Sequence, residues 1–186
     1  LTEAEVTESA TKLNAIVEAA LSMPKASTTD NEHWYQFTSL RGPNLFISAE
    51  GEAAGVAGKE NSGTSALSMW KFVDRGDNTF DIVNRQYGSY LNPVANYNTQ
   101  INTTKSKPAK GWTVSYADTP AYYIISSGEV QLNQTGSGQS FKLYNRTQIQ
   151  PIQRMICDAY DKIYGQKGVL TIRPFSLGGD TEGNVN

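Results

Sequence analysis

The feature of this sequence that most constrains its fold is a short pattern that occurs three times between residues 35 and 132. Each copy has an aromatic residue, an apolar residue two positions later, a turn that contains glycine, and then a leucine. Side chains two positions apart lie on the same face of a strand, so each copy predicts a strand, a turn and a second strand. The spacing from the aromatic residue to the leucine is 10, 11 and 10 residues. The three copies are Tyr35, Phe37, Gly42 and Leu45; Phe80, Ile82, Gly88 and Leu91; and Tyr122, Ile124, Gly128 and Leu132.

A further strand closes each copy with two apolar residues around a polar one. The closing triplets begin at Trp70, Trp112 and Phe141, and we predict that these aromatic side chains pack in the core. The leucine lies 25, 21 and 9 residues before the triplet, which predicts that the third copy has lost most of a loop. A repeat of about 40 residues with four short strands also fits a propeller blade, but three blades are too few for the usual ring. Three copies therefore predict a barrel with threefold symmetry.

The residues before the first copy predict a helix over 3–23. Apolar residues recur there at spacings of three and four, and Thr2 and Glu5 have the spacing of a capping box. We interpret the apolar stripe mainly as a face that packs in the core, with binding to a partner as the alternative. The stripe consists of Val6, Ala10, Leu13, Val17, Ala20 and Leu21.

The residues after the third copy predict a second amphipathic helix, with Pro151 suited to its first turn and Gly165 to its end. Its apolar stripe, also interpreted as a packing face, consists of Ile152, Met155, Ile156, Ala159, Tyr160 and Ile163. A short strand near Thr171 and a Gly-rich flexible tail follow. The chain is thus divided into a helical extension (1–30), a β domain (31–147) and a C-terminal part (148–186).

Charge and composition argue against several classes of function. Lys and Arg number 16 against 18 Asp and Glu, with no concentrated basic stripe, so nucleic acid is not an expected partner. No apolar run reaches the roughly 20 residues that cross a bilayer, so we expect no membrane insertion. The single cysteine, Cys157, cannot form an internal disulfide or a thiolate metal cage, and neither a metal nor a cofactor is expected.

The abundant neutral polar residues are typical of secreted β proteins. We therefore expect an extracellular or cell-surface protein from which a leader has been removed. Sequons begin at Asn102, Asn133 and Asn145, and they would accept glycans in a eukaryotic secretory pathway. In a chain this rich in Asn and Thr, the sequons also arise by chance.

The stretch from Asp77 to Asn92 resembles the repeat of the ricin-type β-trefoil lectins, in which a strand ends in Asn and a small-residue turn leads to a Leu-Asp pair. Here the pair is Leu91-Asn92. The closing triplets resemble the family's Gln-x-Trp motif: two keep the tryptophan, and Gln139-Ser140-Phe141 keeps the glutamine. The resemblance covers about residues 32–147. It implies a mainly β protein, a β-trefoil of three repeats. The N-terminal and C-terminal amphipathic helices predicted above flank this domain and do not belong to the family pattern.

The resemblance also implies where a sugar would bind. In the family, the residue after the leucine and a later aromatic side chain hold the sugar, helped by an amide further along. The corresponding candidates are Asn92, Tyr97, Asn98, Gln100 and Asn102 in the second copy, with Asn133 and Gln134 as weaker candidates in the third. The first copy has Phe46 after its leucine and an apolar loop, so no sugar site is expected there. An Asn-rich surface loop with a half-buried tyrosine is the structural alternative for the residues around Tyr97.

Catalytic interpretations have less support in the residues. His33 is the only histidine, so a catalytic triad would depend on it alone. Asp74, Asp77 and Asp81 could supply the carboxylate pair of a glycosidase, but the run 74–78 predicts a turn. The same run contains Arg-Gly-Asp, an integrin-recognition sequence in some adhesion proteins. Residues 58–60 resemble the end of a phosphate-binding loop but lack the Ser or Thr that would bind magnesium.

We therefore expect a non-catalytic carbohydrate-binding module whose partner is a glycan or oligosaccharide. It would serve as the targeting domain of a larger secreted or cell-surface glycan-processing protein. The alternative is a trefoil that has lost sugar binding and acts as a structural or protein-interaction domain, with neighbouring domains as its partners. The degenerate closing motifs favour the alternative, whereas the amides around Tyr97 favour the lectin.

Overall fold

The regular structure of the described residues is one α-helix, a series of short strands and a single-turn 3-10 helix. The computed structural model describes residues 2–22, 24–39, 44–60, 65–94, 99–116, 122–134, 141–145 and 155–159. Within these residues the α-helix is α1 (Glu3–Ser22), and the 3-10 helix is Ala66–Ser68. The strands are β1 (Tyr35–Ser39), β2 (Phe46–Ala49), β3 (Val56–Lys59), β4 (Trp70–Asp74), β5 (Phe80–Asn84), β6 (Tyr90–Leu91), β7 (Thr99–Gln100), β8 (Thr103–Thr104), β9 (Thr113–Tyr116), β10 (Tyr122–Ser127), β11 (Val130–Gln134), β12 (Phe141–Asn145) and β13 (Met155–Ala159).

The helix predicted over 3–23 is confirmed as α1, and its capping box forms. The backbone N–H of Glu5 donates to Thr2 Oγ1 (3.2 Å), and the backbone N–H of Thr2 donates to Glu5 Oε2 (2.8 Å). The hydrogen bonds from the backbone and hydroxyl of Thr2 favour the charged carboxylate and lower the pKa of Glu5. Two of the free N–H groups at the start of the helix are thereby satisfied.

The described side chains of the apolar stripe of α1 face solvent. Val6, Leu13 and Val17 are 52%, 60% and 46% exposed. The interpretation of this stripe as a core-packing face is therefore wrong for these three residues. The buried core consists instead of residues from the strands and their immediate neighbours, including Phe37 and Trp70.

Antiparallel pairing connects the strands into one large sheet and one hairpin. Among the described residues, β2 and β3 pair only with each other, and the remaining strands form a single sheet. β4 pairs with β5 along its whole length, and it meets β1 where Trp70 lies opposite Tyr35. Trp112, just before β9, forms the equivalent bridge to Phe80 at the start of β5. The first strand of each of these two copies is thus joined to the tryptophan that closes the same copy.

The predicted C-terminal helix is wrong at residues 155–159, which form β13. Five residues of β13 pair with β1, from Tyr35 opposite Ala159 to Ser39 opposite Met155. β13 also pairs with β10, where Tyr123 lies opposite Met155. Short apolar runs fit helix and strand patterns alike, and here the strands on both sides supply the hydrogen-bond partners. The sheet therefore includes residues that the predicted boundary at 147 placed outside the β domain.

The register of the third copy also differs from the prediction. Phe141 is the first residue of β12, and β12 pairs with β11 and β7. In the pairing with β11, Phe141 lies opposite Gln134. Phe141 therefore does not occupy the position of Trp70 and Trp112, which face the first strand of their own copies. The buried residues at the start of the third copy are Tyr123 and Ile125, whereas the predicted pattern began at Tyr122 and continued at Ile124, which is only half-buried. A slip of one residue moves every side chain of a strand to the other face.

The two tryptophans make the same contact in the core. Trp70 and Trp112 are fully buried. The indole N–H of Trp70 donates to the carbonyl of Ile47 (3.0 Å), and that of Trp112 donates to the carbonyl of Leu91 (2.9 Å). Ile47, rather than Leu45, is therefore the counterpart of Leu91, and the residue that follows it in the first copy is Ser48.

Candidate functional site

A cleft of about 430 Å³ opens on the first copy, where the sequence predicted no site. It is lined by Ser48, Ala49, Glu50, Lys59, Leu67 and Tyr87. The hairpin of β2 and β3 supplies four of these residues, and Tyr87 comes from the turn after β5 in the second copy. The cleft combines an aromatic ring, a carboxylate, an ammonium group and an apolar surface. We call it the first-copy cleft.

Tyr87 is held at the cleft by the buried amide of Asn84, which is 1% exposed. Asn84 Oδ1 accepts hydrogen bonds from the backbone N–H groups of Gln86 (3.1 Å) and Tyr87 (3.2 Å). Asn84 Nδ2 donates to the carbonyl of Leu67 (2.9 Å), on the other wall of the cleft. Gly88 completes the turn with φ of 66°, a conformation that glycine adopts readily. One side chain therefore fixes the distance between the Tyr87 turn and the Leu67 wall, while Tyr87 remains 38% exposed.

The charged groups of the cleft are paired across the hairpin. Lys59 Nζ lies 3.2 Å from Glu50 Oε2, and both side chains are partly exposed. The backbone N–H of Glu50 donates to the carbonyl of Gly55 (3.0 Å), which closes the hairpin loop. An exposed ion pair adds little stability, so its groups can exchange partners with a ligand at small cost.

Two of the residues predicted from the second copy are brought together. Asn92 Nδ2 donates to Asn102 Oδ1 (3.1 Å), and the backbone N–H of Asn92 donates to the carbonyl of Asn102 (3.0 Å). Both residues are half-buried. We call them the Asn92–Asn102 pair. Tyr97 and Asn98, which the sequence places with this pair, lie outside the described residues.

Gln100 is directed toward the first copy. A Cβ atom placed on Gly55 would lie 3.6 Å from Gln100 Nε2 and 3.7 Å from Glu50 Oε1. Gly55 also bridges to Asn102, and the backbone N–H of Val56 donates to the carbonyl of Ile101 (3.2 Å). The loop of the first hairpin thus packs beside the predicted amides of the second copy. Gln100 therefore lies beside the Glu50 end of the first-copy cleft.

Asn133 takes the place in the third copy that Asn92 takes in the second. It follows the buried Leu132, is itself fully buried, and lies opposite Lys142 in the pairing of β11 with β12. Its two amide atoms have no hydrogen-bond partner among the described residues. Gln134 lies opposite Phe141 in the same pairing, and its side chain is outside the described part of the chain.

The acidic run between the first two copies is structural. Asp81 is 3% exposed and contacts two cations, Arg75 Nη1 at 2.7 Å and Lys107 Nζ at 3.2 Å. Asp74 accepts a hydrogen bond from the backbone of Gly76, and Asp77 accepts hydrogen bonds from Thr79. The bond from the Thr79 hydroxyl lowers the pKa of Asp77. The contacts of Asp74 and Asp77 form the predicted turn.

The Arg-Gly-Asp sequence is not presented as a recognition loop. The Arg75 guanidinium donates to the carbonyls of Pro108 (3.1 Å) and Ala109 (2.9 Å) in addition to its contact with Asp81. A side chain bound in this way cannot reach a partner without breaking these bonds. Arg75 therefore anchors the 105–109 loop to β5.

The other predicted chemical residues have structural contacts. The backbone of His33 is tied to Ser27, whose hydroxyl accepts from the His33 N–H (2.8 Å) and donates to its carbonyl (3.2 Å). Lys59 lies in β3, so the 58–60 segment is an antiparallel strand end and not a phosphate loop. Cys157 lies opposite Phe37 in the pairing of β13 with β1. Within the described residues, no cluster of His, Cys, Asp and Glu is arranged to hold a metal ion, and no helix is long and apolar enough to span a membrane.

Several solved structures have a similar fold. The ricin B-like lectin of Macrolepiota procera in complex with lactose matches with a TM-score of 0.61 and 15% identity, over 74% of this chain and 99% of the lectin. A designed 3-fold symmetric protein, ThreeFoil, matches with a TM-score of 0.58 and 16% identity, over 67% of this chain and 97% of its own. The Polyporus squamosus lectin bound to a human-type influenza-binding epitope matches with a TM-score of 0.55 and 16% identity, over 68% of this chain and 48% of the lectin. No family model and no curated protein matches the sequence.

These likenesses show that the chain has the ricin-type β-trefoil fold, as its sequence predicted. The protein is mainly β, with one N-terminal helix among its described residues. Other chains of similar structure are toxins and a glycosidase. A fold of this kind carries many functions, so the function has to be argued from the sites.

Proposed function

We propose that this protein is a non-catalytic carbohydrate-binding module and that the first-copy cleft is its principal sugar site. The observation that supports this proposal is the placement of the exposed Tyr87 ring in one cleft with Glu50 and Lys59. A sugar has an apolar ring face that packs on an aromatic plate and hydroxyls that bond charged or amide groups. Few concave sites offer both kinds of contact together. Two trefoils of similar structure were solved with sugars, one with lactose and one with a sialylated trisaccharide.

The second copy provides the second candidate site, with the Asn92–Asn102 pair and Tyr97 as its plate. The two amides already bond each other, so a sugar there would have to replace or bridge that bond. The Glu50–Lys59 pair is also occupied, but its members are charged and form stronger hydrogen bonds to hydroxyls than amides do. This difference is why we place the principal site in the first copy. Asn133 and Gln134 remain a third candidate.

A glycan array followed by calorimetry on the best ligand tests this proposal. We expect Tyr87→Ala to weaken binding by about 1–3 kcal/mol, because an aromatic contact plate is lost. Tyr97→Ala tests the second candidate site and should leave the affinity unchanged if the first-copy cleft is the principal site. Tyr87 is exposed at a turn, so its removal should not unfold the protein, and near-UV circular dichroism checks this.

The two variants also separate the candidate sites. If only Tyr97→Ala weakens sugar binding, the sugar site lies in the second copy. If neither substitution changes the affinity, both candidate sites are excluded. If the array detects no sugar with the protein at millimolar concentration, the carbohydrate-binding proposal fails. The structural or protein-interaction trefoil would then be the better description, and the exposed stripe of α1 is the observation that favours it.

We also propose that β10 to β13 form the third repeat, with β13 as its closing strand. The spacing from Leu132 to Met155 is 23 residues, which equals the 23 from Ile47 to Trp70 and is close to the 21 from Leu91 to Trp112. Met155 faces Tyr123 as Trp70 faces Tyr35. No loop is then missing from the third copy.

A role in a larger secreted or cell-surface protein completes the proposal. The matched region is about half of the Polyporus squamosus lectin, so this fold occurs there within a longer chain. Such a module would hold a glycan-processing domain near its substrate. Immunodetection of the protein in the medium or on intact cells tests the location, and an exclusively internal signal would contradict it.

A further inference from the structure

A cationic cluster lies on the outer face of three neighbouring strands, β1, β4 and β5. Tyr35, Trp70 and Asn84 lie opposite one another across these strands and are buried. Side chains alternate between the two faces of a sheet, so the residues next to them in the chain face outward. Three of these outward residues are Trp34, Lys71 and Arg85, and we call them the Trp34 cluster.

The indole ring of Trp34 holds both cations of the cluster. Lys71 Nζ and the guanidinium carbon of Arg85 each lie 5.2 Å from the centroid of the ring, within the range of a cation–π contact. The two charges are therefore at most twice that distance apart, which is comparable with the Debye length of about 8–10 Å. Like charges this close repel each other, and an anion bound beside them relieves the repulsion.

Arg85 is fixed in place, yet no carboxylate of the described residues pairs with it. Its backbone N–H donates to the carbonyl of Met69 (2.9 Å), and its guanidinium donates to Met69 Sδ (3.1 Å), which is a weak acceptor. The residue is exposed. A guanidinium held between a ring and a sulfur atom offers its other N–H groups to a ligand with little further loss of freedom.

The size of the cluster indicates a ligand with a single anionic group. A nucleic-acid backbone or an anionic membrane surface is bound by larger sets of basic residues. This cluster has two, and Lys71 Nζ already lies 3.4 Å from Glu32 Oε1. The planar fork of an arginine bonds two oxygens of one carboxylate or one tetrahedral oxyanion. The whole chain has a net charge of −2, so any attraction for an anion has to be local.

The Trp34 cluster adjoins the first-copy cleft. Arg85 and Tyr87 belong to the same turn, which Asn84 holds, and two residues of chain span at most about 7 Å. Met69, which contacts Arg85, lies two residues after Leu67 on the other wall of the cleft. An oligosaccharide in the cleft therefore has a neighbouring sugar residue within reach of Arg85.

We propose that the Trp34 cluster binds the carboxylate or sulfate group of an acidic sugar residue, beside the sugar residue that occupies the first-copy cleft. The identification of the ligand as a glycan rests on the proposed function. Arg85 bonds the anionic group, Trp34 positions Arg85, and Lys71 adds a second positive charge. The protein therefore selects acidic glycans over neutral glycans of the same length.

Calorimetry of the full chain with two matched pairs of tetrasaccharides tests the proposal. One pair is a keratan sulfate tetrasaccharide and its desulfated form, and the other is tetragalacturonic acid and its methyl ester. Only the anionic group differs within a pair, so the pair that shows a preference identifies the anion. We expect the charged member of at least one pair to bind about tenfold more tightly, because it gains charge-assisted hydrogen bonds. Arg85→Gln should reduce this preference to less than about twofold, and high salt should reduce it in the wild type.

Three further variants serve as controls. Tyr87→Ala should weaken both members of a pair equally and leave the preference intact, because it removes only the contact in the cleft. Lys12→Gln removes one exposed positive charge from α1, away from the cluster, and should change neither affinity. Arg85→Lys keeps the charge and should keep part of the preference. Near-UV circular dichroism checks that each variant is folded.

The outcomes separate this proposal from the proposed function. If Tyr87→Ala has no effect but Arg85→Gln abolishes the preference, the assignment of the cleft fails and the Trp34 cluster stands. A wild-type protein that binds both members of each pair equally overturns the proposal. A preference that Arg85→Gln leaves unchanged overturns it as well.

Discussion

The first and second copies of the repeat share a scaffold but differ on their surfaces. In both copies a buried tryptophan donates its indole N–H to the carbonyl of the strand residue that precedes the candidate site. Beyond that carbonyl, the first copy has a cleft with a carboxylate, an ammonium group and an aromatic ring, whereas the second has two amides bonded to each other. The shared core contact and the candidate sites thus consist of different residues.

The largest effects should come from the shared part of the two copies. Trp70→Ala and Trp112→Ala should each lower the free energy of unfolding by about 3–5 kcal/mol, since each removes a fully buried aromatic side chain. Urea denaturation measures both. A difference of more than about 2 kcal/mol between the two variants would show that the copies are not equivalent as scaffold.

Milder variants cover the case in which the alanine proteins do not fold. Trp70→Phe and Trp112→Phe keep most of the apolar volume but leave the carbonyl of Ile47 or Leu91 without its donor. Each should cost about 1–3 kcal/mol, and the two costs should again be similar.

An intermediate effect should separate the two surfaces. Asn84→Ala removes the amide that holds the Tyr87 turn to Leu67, and buried groups lose their partners, so we expect a cost of about 1–3 kcal/mol and weaker sugar binding. Asn92→Ala removes a bond between half-buried amides and should cost under about 1 kcal/mol. Thermal unfolding and calorimetry measure the two quantities. If the two substitutions lower the free energy of unfolding equally, the hydrogen bonds of Asn84 hold the first-copy cleft no more firmly than the bond between Asn92 and Asn102 holds that pair.

The smallest effect concerns the ion pair of the cleft. Lys59→Gln should change the free energy of unfolding by less than about 0.5 kcal/mol, because both partners are partly exposed. Urea denaturation in low and high salt measures this change, which should shrink further as salt screens the pair. A cost above about 1 kcal/mol would show that Glu50 and Lys59 maintain the hairpin and are not available to a ligand.

The sequence predicted the features that depend on local chemistry. The capping box of Thr2 and Glu5 correctly predicted where α1 begins. The two tryptophan triplets correctly predicted buried aromatic residues at the start of β4 and just before β9. Register was harder to predict, because Leu45 and Ile47 are both apolar and only the indole contact distinguishes them. β13 was missed because Met155, Ile156 and Ala159 also fit a helical spacing.

The first-copy cleft was missed for a related reason. With Leu45 taken as the last core residue, Phe46 took the position of the sugar-contacting residue, and Ser48 and Glu50 were not considered. The aromatic plate was sought within the same copy, whereas Tyr87 reaches the cleft from the next one. An amide that holds a turn, such as Asn84, cannot be distinguished in the sequence from an Asn in a surface loop.

The pairing of β13 has a consequence for how the protein is made. β1 has one of its two neighbours in β4, but the other is β13, more than a hundred residues later in the chain. Such distant contacts slow folding, because a long loop must be closed before they form. During synthesis the edge of β1 therefore stays open until nearly the whole barrel has left the ribosome, and a chain that stops before residue 155 has two open sheet edges that invite aggregation.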